Sequence, residues 1–408
     1  MNRNLFAVTA ASFIGFMGFT LVMPFLPLYF HLLGVTDVGR IAMWSGLSLG
    51  VTPALTALLS PFWGRLADRY GRKIMVERSL GSFVVVMAAT AFVTRAWHVL
   101  ALRAVQGLFA GYGALTLTMG ADSAPEGRMA QSIGIVQTAQ RLGPALGPVF
   151  GGALAAIVGL RRAFLVAAAC YLLSVIVVFV MYDESVIHAP EPATASTGEV
   201  TFRSVLAFEN FLLMAAVIFA LQFVDRSFGP VLPLYVEQLG TPAARVALVS
   251  GVLFSIAAGA GALGHHYCAA LLRRVTAPQL IAAVSVVAAA GSGIYVWAHD
   301  VRWLYLATPI FGLAIGAGMT AAYTAAAQVI PPPVRGVGFG LLTTASLIGM
   351  AVSPVVCGFL GATSIRTVFV FDLVGLGALA AIVQWFARGG RPRPEQAGLP
   401  REPVSEHV

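Results

Sequence analysis

The side chains able to do chemistry in this 408-residue chain are mostly charges set inside apolar runs. Asp225 lies about sixteen residues into a long hydrophobic stretch, next to Arg226, and Asp372 about eight residues into another. A carboxyl group at such depth is expensive when ionised, which suits it to taking up and releasing a proton as its surroundings change. Arg103 and Arg141 are similarly deep, Arg141 beside Gln137 and Thr138. A buried arginine costs a few kcal/mol unless it is paired or hydrated, so Arg103 is expected to face a water-filled space. The competing reading is that it bonds only to backbone carbonyls of a neighbouring helix. Adjacent residues of a helix diverge by roughly 100°, so Asp225 and Arg226 are not expected to be each other's only partners. The arrangement expected is Asp225 facing Arg103 or Arg141 across a cavity, with an attraction that protonation weakens; a static pair holding one conformation is the alternative. Asp225 is the first candidate for proton coupling and Asp372 the second.

Other chemistries find no support. Cys170, Cys268 and Cys357 stand far apart without CxxC or Cys/His spacing, so neither a disulfide framework nor a metal site is expected. There is no GxxxxGK[ST] loop to hold a nucleotide, no nucleophile elbow and no paired carboxylates, so no cofactor and no enzyme activity are expected. His265 and His266 could titrate near neutrality but are read as interfacial residues near the end of an apolar run.

The elements that must position these groups are membrane helices. The chain is 58% hydrophobic and only 10% charged, with a mean hydropathy of +0.85, and a soluble surface needs more charge than that. Twelve apolar runs are long enough to span a bilayer, near 5–33, 40–62, 78–95, 97–119, 130–157, 162–182, 209–239, 244–271, 278–298, 301–328, 335–362 and 365–387. The first passes the length of a signal h-region and ends in Pro24 and Pro27 without a cleavage site, so it is expected to stay. The net charge of +8 speaks to orientation and not to nucleic acid, because the charges fall in short loops. With the amino terminus inside, about fifteen Lys and Arg collect on one face against about seven on the other, which predicts both termini in the cytoplasm. All six tryptophans fall at span ends, where an amphipathic ring is most stable. The polar stretch 183–208 is expected to be a linker between six-helix bundles at 1–182 and 209–387, and 388–408 a disordered cytoplasmic tail.

The halves repeat. Pro24-Phe25-Leu26-Pro27-Leu28-Tyr29, followed by Leu33-Gly34, recurs 206 residues later as Pro230-Val231-Leu232-Pro233-Leu234-Tyr235, followed by Leu239-Gly240. At nearly the same offset Gly107, Gly111 and Gly113 match Gly312, Gly316 and Gly318, Arg128 matches Arg335, and Gly143, Pro148 and Gly152 match Gly349, Pro354 and Gly358. Two such bundles can rock about a central site.

Gly64-Arg65-Leu66-Ala67-Asp68-Arg69-Tyr70-Gly71-Arg72-Lys73 fits the pattern G-x-L-A-D-R-x-G-R-K, and here the chain resembles the major facilitator superfamily. The resemblance implies that the aspartate and the second arginine form a charge cluster with an acid at the end of the fourth span, the place of Asp122, which holds the cytoplasmic side closed. The glycines are read as permitting a tight turn and close helix approach. The matching loop in the second half, Gly264-His265-His266-Tyr267-Cys268, has cysteine in place of aspartate, so any ionic latch resides in the first half. Arg103 with Gln106, Gly107, Gly111 and Gly113 resembles the family's R-x-x-Q-G motif. Gly143-Pro144-Ala145-Leu146-Gly147-Pro148-Val149-Phe150-Gly151-Gly152 resembles the G-P-x-x-G-P-x-x-G-G element of its drug:proton antiporter branch. With Met43-Trp44-Ser45-Gly46 and Ser60-Pro61-Phe62-Trp63-Gly64, the first half is similar to bacterial multidrug-resistance and tetracycline exporters. Several relatives carry an acid in their first helix and this chain has none there.

The resemblance implies an all-α membrane protein of twelve helices in two pseudo-symmetric bundles, a monomer in the inner membrane, exporting small hydrophobic or amphiphilic compounds against protons. A substrate cavity is expected at Arg141, Gln137, Gln222, Arg226, Tyr29 and Tyr235. Partners are the small-molecule substrate, protons and membrane lipid, with no nucleic acid. An exporter dedicated to one metabolite, sugar or self-made toxin is the alternative, and a transport-inactive membrane sensor or lipid-handling protein on the same scaffold is the alternative of another class.

Overall fold

The computed structural model describes residues 2–125, 128–184, 211–330 and 335–389, with the side chains of Asp68, Ala130, 335–337 and 388–389 outside the described set. The expected linker and tail lie almost wholly outside the described residues.

Every one of the twelve apolar runs is helical. The first is split into α1 (Arg3–Leu21), capped by the Asn2 side chain accepting from the Leu5 amide, and the short α2 (Leu26–Leu32), which has Pro27 in its opening turn. α3 (Val38–Tyr70) is capped by Asp37 and runs unbroken through Pro53 and Pro61. α4 (Arg72–Thr90) follows at once. The fourth run is α5 (Ala96–Phe109) and α6 (Tyr112–Asp122), divided at Gly111, whose φ of +132° only glycine adopts readily. α7 (Met129–Val158) and α8 (Leu160–Met181) complete the first half. In the second half α9 (Phe211–Ser227) and α10 (Leu232–Gln238) repeat the broken first run with a 44° bend. They are followed by α11 (Ala243–Leu272), α12 (Ala277–Trp297), α13 (Val301–Val329), α14 (Arg335–Thr363) and α15 (Ile365–Gly389). Among the described residues ten segments are long and apolar enough to cross a bilayer, α5 and α6 together counting as one, and the bent pair of α9 and α10 makes eleven. The remaining run, α4, opens with Arg72, Lys73, Glu77 and Arg78 and so is less apolar.

Packing follows the sequence repeat. In the first half α1 lies on α7, α3 on α5 and α4 on α8; in the second α9 lies on α14, α11 on α13 and α12 on α15. Small contacts repeat as well. The Tyr29 hydroxyl donates to the Thr90 carbonyl at the end of α4, and the Tyr235 hydroxyl donates to the Tyr295 carbonyl near the end of α12, both at 2.6 Å. Arg161 donates to the carbonyls of Ala91 and Val93, and Arg366 to that of Ala298, so each half spends one arginine on the carbonyls left open after its third span.

Two long helix pairs join the halves, α3 with α14 and α7 with α11, and the short α2 and α10 touch beside them. They are related by the same repeat. Gly46 sits against the Pro354 carbonyl and Gly251 against the Pro148 carbonyl, while Gly358 sits against Ala42 and Gly152 against Ala247. Where these backbones touch there is no room for a Cβ.

Candidate functional site

The glycine joints occupy one end of the bundle, the end that carries α2 and α10. Along α3 and α14 the contacts run antiparallel, Gly39 against Ala362, Gly46 against Pro354, Gly50 against Ala351. Extended further, that register would bring Gly64 opposite the start of α14, yet a Cβ built on Gly64 or on Gly340 meets nothing within 4 Å. Along α7 and α11 the joint at Gly152 and Gly251 gives way in the same manner to open space around Gly134 and Gly259. The halves therefore touch at the joint end and part toward the end that carries Asn2, Arg72 and Asp122. Between them lies a crevice.

The glycine-proline element of α7 divides its residues between two partners. Gly143, Gly147 and Gly151, one turn apart, receive α1 at Phe13, Met17, Thr20 and Leu21. Gly152 receives α11 of the other half. Pro144 and Pro148 leave the helix intact, and the Val149 amide donates across the joint to the Ser255 hydroxyl at 3.1 Å. One helix thus belongs to both a bundle and a pivot.

At the closed end of the crevice a pocket is bounded by Phe19, Met23, Leu49 and Met350, with Arg103 from the first half and Arg226 from the second. Arg103 is 3% exposed; its Nη1 donates to Gln106 Oε1 at 2.9 Å, its Nη2 has no hydrogen-bond partner, and its carbonyl accepts from Thr52. Its side chain borders the pocket and, among the described residues, bonds Gln106 of its own helix, not the backbone carbonyls of a neighbouring one. Arg226 pairs with Asp225, Nε to Oδ2, at 3.2 Å. Asp225 was expected to look toward a first-half arginine; among the described residues its ion pair is with its neighbour in the chain. Side chains long enough to bend toward each other overcome the 100° between them.

Farther along, His265 of α11 is bonded through Nδ1 to Thr320 of α13 at 2.7 Å and lies within electrostatic reach of both Arg141 and Asp225. His265 is therefore turned toward α13 and the groups of the crevice. Arg141 and Gln137 are exposed on α7, and Gln222 accepts from Ser346 at 3.2 Å. Two expected cavity residues are elsewhere: Tyr29 and Tyr235 are buried at 0% and 1% exposure and committed to the carbonyls described above. Asp372 is also withdrawn from the pocket. It is wholly buried between α15 and α9, accepting from Ser227 at 2.6 Å, with its other oxygen unpartnered.

The second constellation is at the parted end, confined to the first half. Arg72 Nη1 bonds Asp122 Oδ2. Lys73 donates to the carbonyls of Tyr182 and Phe179, the last turn of α8, where a cation is favoured. Gly71 has φ +94°, and the Glu184 carboxylate lies 2.8 Å from where its Cβ would be, accepting from the Arg72 amide at 2.8 Å. Glu184, which sequence reasoning passed over as part of the linker, thus caps α4 from the far end of the half. Arg69 is exposed over the Tyr70 ring, and the Asp68 side chain lies outside the described residues. Gly71 does provide the tight turn; at Gly64, expected to allow close helix approach, an added Cβ would meet nothing within 4 Å among the described residues.

The sequence profile of the Major Facilitator Superfamily matches residues 8–311. The chain belongs to the major facilitator superfamily. Its twelve helical runs in two repeated bundles are the major facilitator fold, and it is a multi-pass membrane protein. It is 34% identical over 255 residues to a protein of Rahnella sp. (strain Y9602) named "Multidrug resistance protein MdtG", a match covering 62% of each chain. A protein of the same name from Proteus mirabilis (strain HI4320) is 32% identical over 255 residues, 62% of this chain and 63% of that one. The chain thus spans somewhat less than two thirds of the length of the curated relatives it matches. Among solved structures, a bacterial homologue of the human lysosomal transporter Spinster aligns over 94% of this chain and 96% of that one, with TM-score 0.77 at 18% identity. A POT family transporter in complex with 5-aminolevulinic acid aligns over 95% and 97%, with TM-score 0.76 at 12% identity. At such identities these likenesses speak to the fold alone.

Proposed function

We propose that the chain is a proton-coupled exporter of small hydrophobic or amphiphilic compounds, working as a monomer in the inner membrane by alternating access, in the drug:proton antiporter branch of its superfamily. The observation that carries this reading is the pair of repeat-related joints: two glycine-built contacts at one end, both parting toward the other, with ionisable groups of both halves facing the gap between. Such joints form or separate together when the bundles rock, which is what moving one site between two sides requires. Charge bias in the loops supports assigning the parted end and both termini to the cytoplasm, so the conformation would be open inward. Similarity to proteins named for multidrug resistance supports export of drugs. Asp225 is the proposed proton carrier, as a carboxylate in the crevice with an arginine partner and a histidine in reach.

Expression in a host deleted for its own pumps tests the reading, using a drug-susceptibility panel with and without an uncoupler. Raised resistance that the uncoupler abolishes is expected. Unchanged susceptibility to every compound in a host whose membranes contain the protein refutes export, and resistance that survives collapse of the proton gradient refutes the coupling.

A further inference from the structure

The pocket at the closed end of the crevice has an uncompensated cation. Arg103 is almost completely buried, and no carboxylate is paired with it among the described residues. Gln106 satisfies one of its terminal nitrogens; the other has no partner. A buried guanidinium left so is costly, and the cost is relieved by an anion that accepts its remaining hydrogens. The same pocket is bordered by Arg226, from the other half, whose charge is shared with Asp225. Arg141 adds a third cation in the crevice, against His265 and the same Asp225. Asp372 does not redress the balance, being buried against Ser227 away from the pocket. Two arginines reach the pocket and, among the described residues, no acid borders it, while Phe19, Met23, Leu49 and Met350 form an apolar floor.

We propose that the substrates of this crevice are amphiphilic organic anions, a carboxylate or similar oxyanion received between Arg103 and Arg226 with an apolar body on Phe19, Met23, Leu49 and Met350. The inference rests on the export reading and names its substrate class. An anion bridging an arginine of each half is held best when the halves are close at the joint end, so occupancy also bears on the position of the bundles. Guanidinium groups suit this task because their forked donors match the two oxygens of a carboxylate.

Isothermal titration of the full-length protein in detergent tests it with three probes of one shape: 2-naphthoate, its neutral amide, and 2-naphthylmethylammonium. Naphthoate is expected to bind about tenfold or more tightly than the amide, and the ammonium most weakly. Arg226→Gln, at a partly exposed side chain, is expected to remove that preference, bringing naphthoate binding down to about that of the amide. Arg103→Gln should do likewise, with Arg103→Lys recovering part of the preference. Equal binding of naphthoate and amide, preference for the ammonium, or no detectable naphthoate binding overturns the proposal. So does an anion preference that survives Arg226→Gln and Arg103→Gln. A protein that confers uncoupler-sensitive resistance to neutral drugs but shows no carboxylate preference refutes this inference alone, whereas one that confers no resistance refutes the export reading.

Discussion

If the halves rock, a methyl group added at a joint must weigh on one conformation and not the other. Gly358 is the position to test. A Cβ there would lie 2.7 Å from the Ala42 carbonyl oxygen and 3.0 Å from the Gly46 Cα, where ordinary contact begins at 3.4 Å. Both neighbours are backbone atoms of α3, so relief requires the two helices to separate by about 0.7 Å along a packed interface, and overpacking of this kind costs about 1–3 kcal/mol. The gain in helix propensity from glycine to alanine is common to both conformations and cancels. A state parted at the joint end escapes the clash, so Gly358→Ala should shift the equilibrium toward it by the same 1–3 kcal/mol, roughly 5- to 150-fold in population. The assay is labelling of Ser48→Cys by a membrane-impermeant maleimide, with the native cysteines replaced by alanine. Ser48 borders the pocket and is fully buried, so labelling from the joint side reports opening there. Gly340→Ala, where a Cβ meets nothing, is the control. Labelling that Gly358→Ala leaves unchanged, or that both substitutions raise equally, would refute the idea that this contact seals the crevice.

Three further outcomes are expected. Asp225→Asn should abolish uncoupler-sensitive drug export without loss of the protein from the membrane, and a variant that still exports against a gradient removes Asp225 from the coupling. Glu184→Ala removes the acceptor of the Arg72 amide; loss of such a cap costs about 0.5–2 kcal/mol, so the purified protein should melt at a lower temperature, and an unaltered melting curve would show the contact to be idle. Tyr29→Phe and Tyr235→Phe each leave a buried carbonyl unanswered, at about 1–3 kcal/mol, and should lower the melting temperature by similar amounts while transport persists at permissive temperature. Loss of transport at unchanged stability would return these tyrosines to the cavity.

Much of the fold was legible because two signals do not depend on how helices face one another. Apolar length marked the runs, and the repeat beginning at Pro24 and Pro230 marked the halves; the structure carries that repeat down to single contacts, as with Tyr29 and Tyr235 or Gly152 and Gly358. The site was legible only in part, for a physical reason. In a soluble helix polar residues mark the outward face, but a membrane helix is apolar toward lipid and toward its neighbours alike, so its rotation leaves little trace in the pattern. His265 and Tyr29 show the consequence. Near the end of a long run His265 read as interfacial, yet the turn of α11 toward α13 brings it to Thr320 and the crevice. Tyr29, in the repeated proline motif, read as a cavity residue, yet it faces the end of α4. Glu184 was missed for a different reason: its partner, the Arg72 amide, is 112 residues away, and no local pattern announces a cap supplied by another helix. The conformation was beyond sequence altogether. The same Gly64 that would allow α14 to approach in a state closed at this end stands free in the present one, and a residue type records what both states require without saying which is occupied.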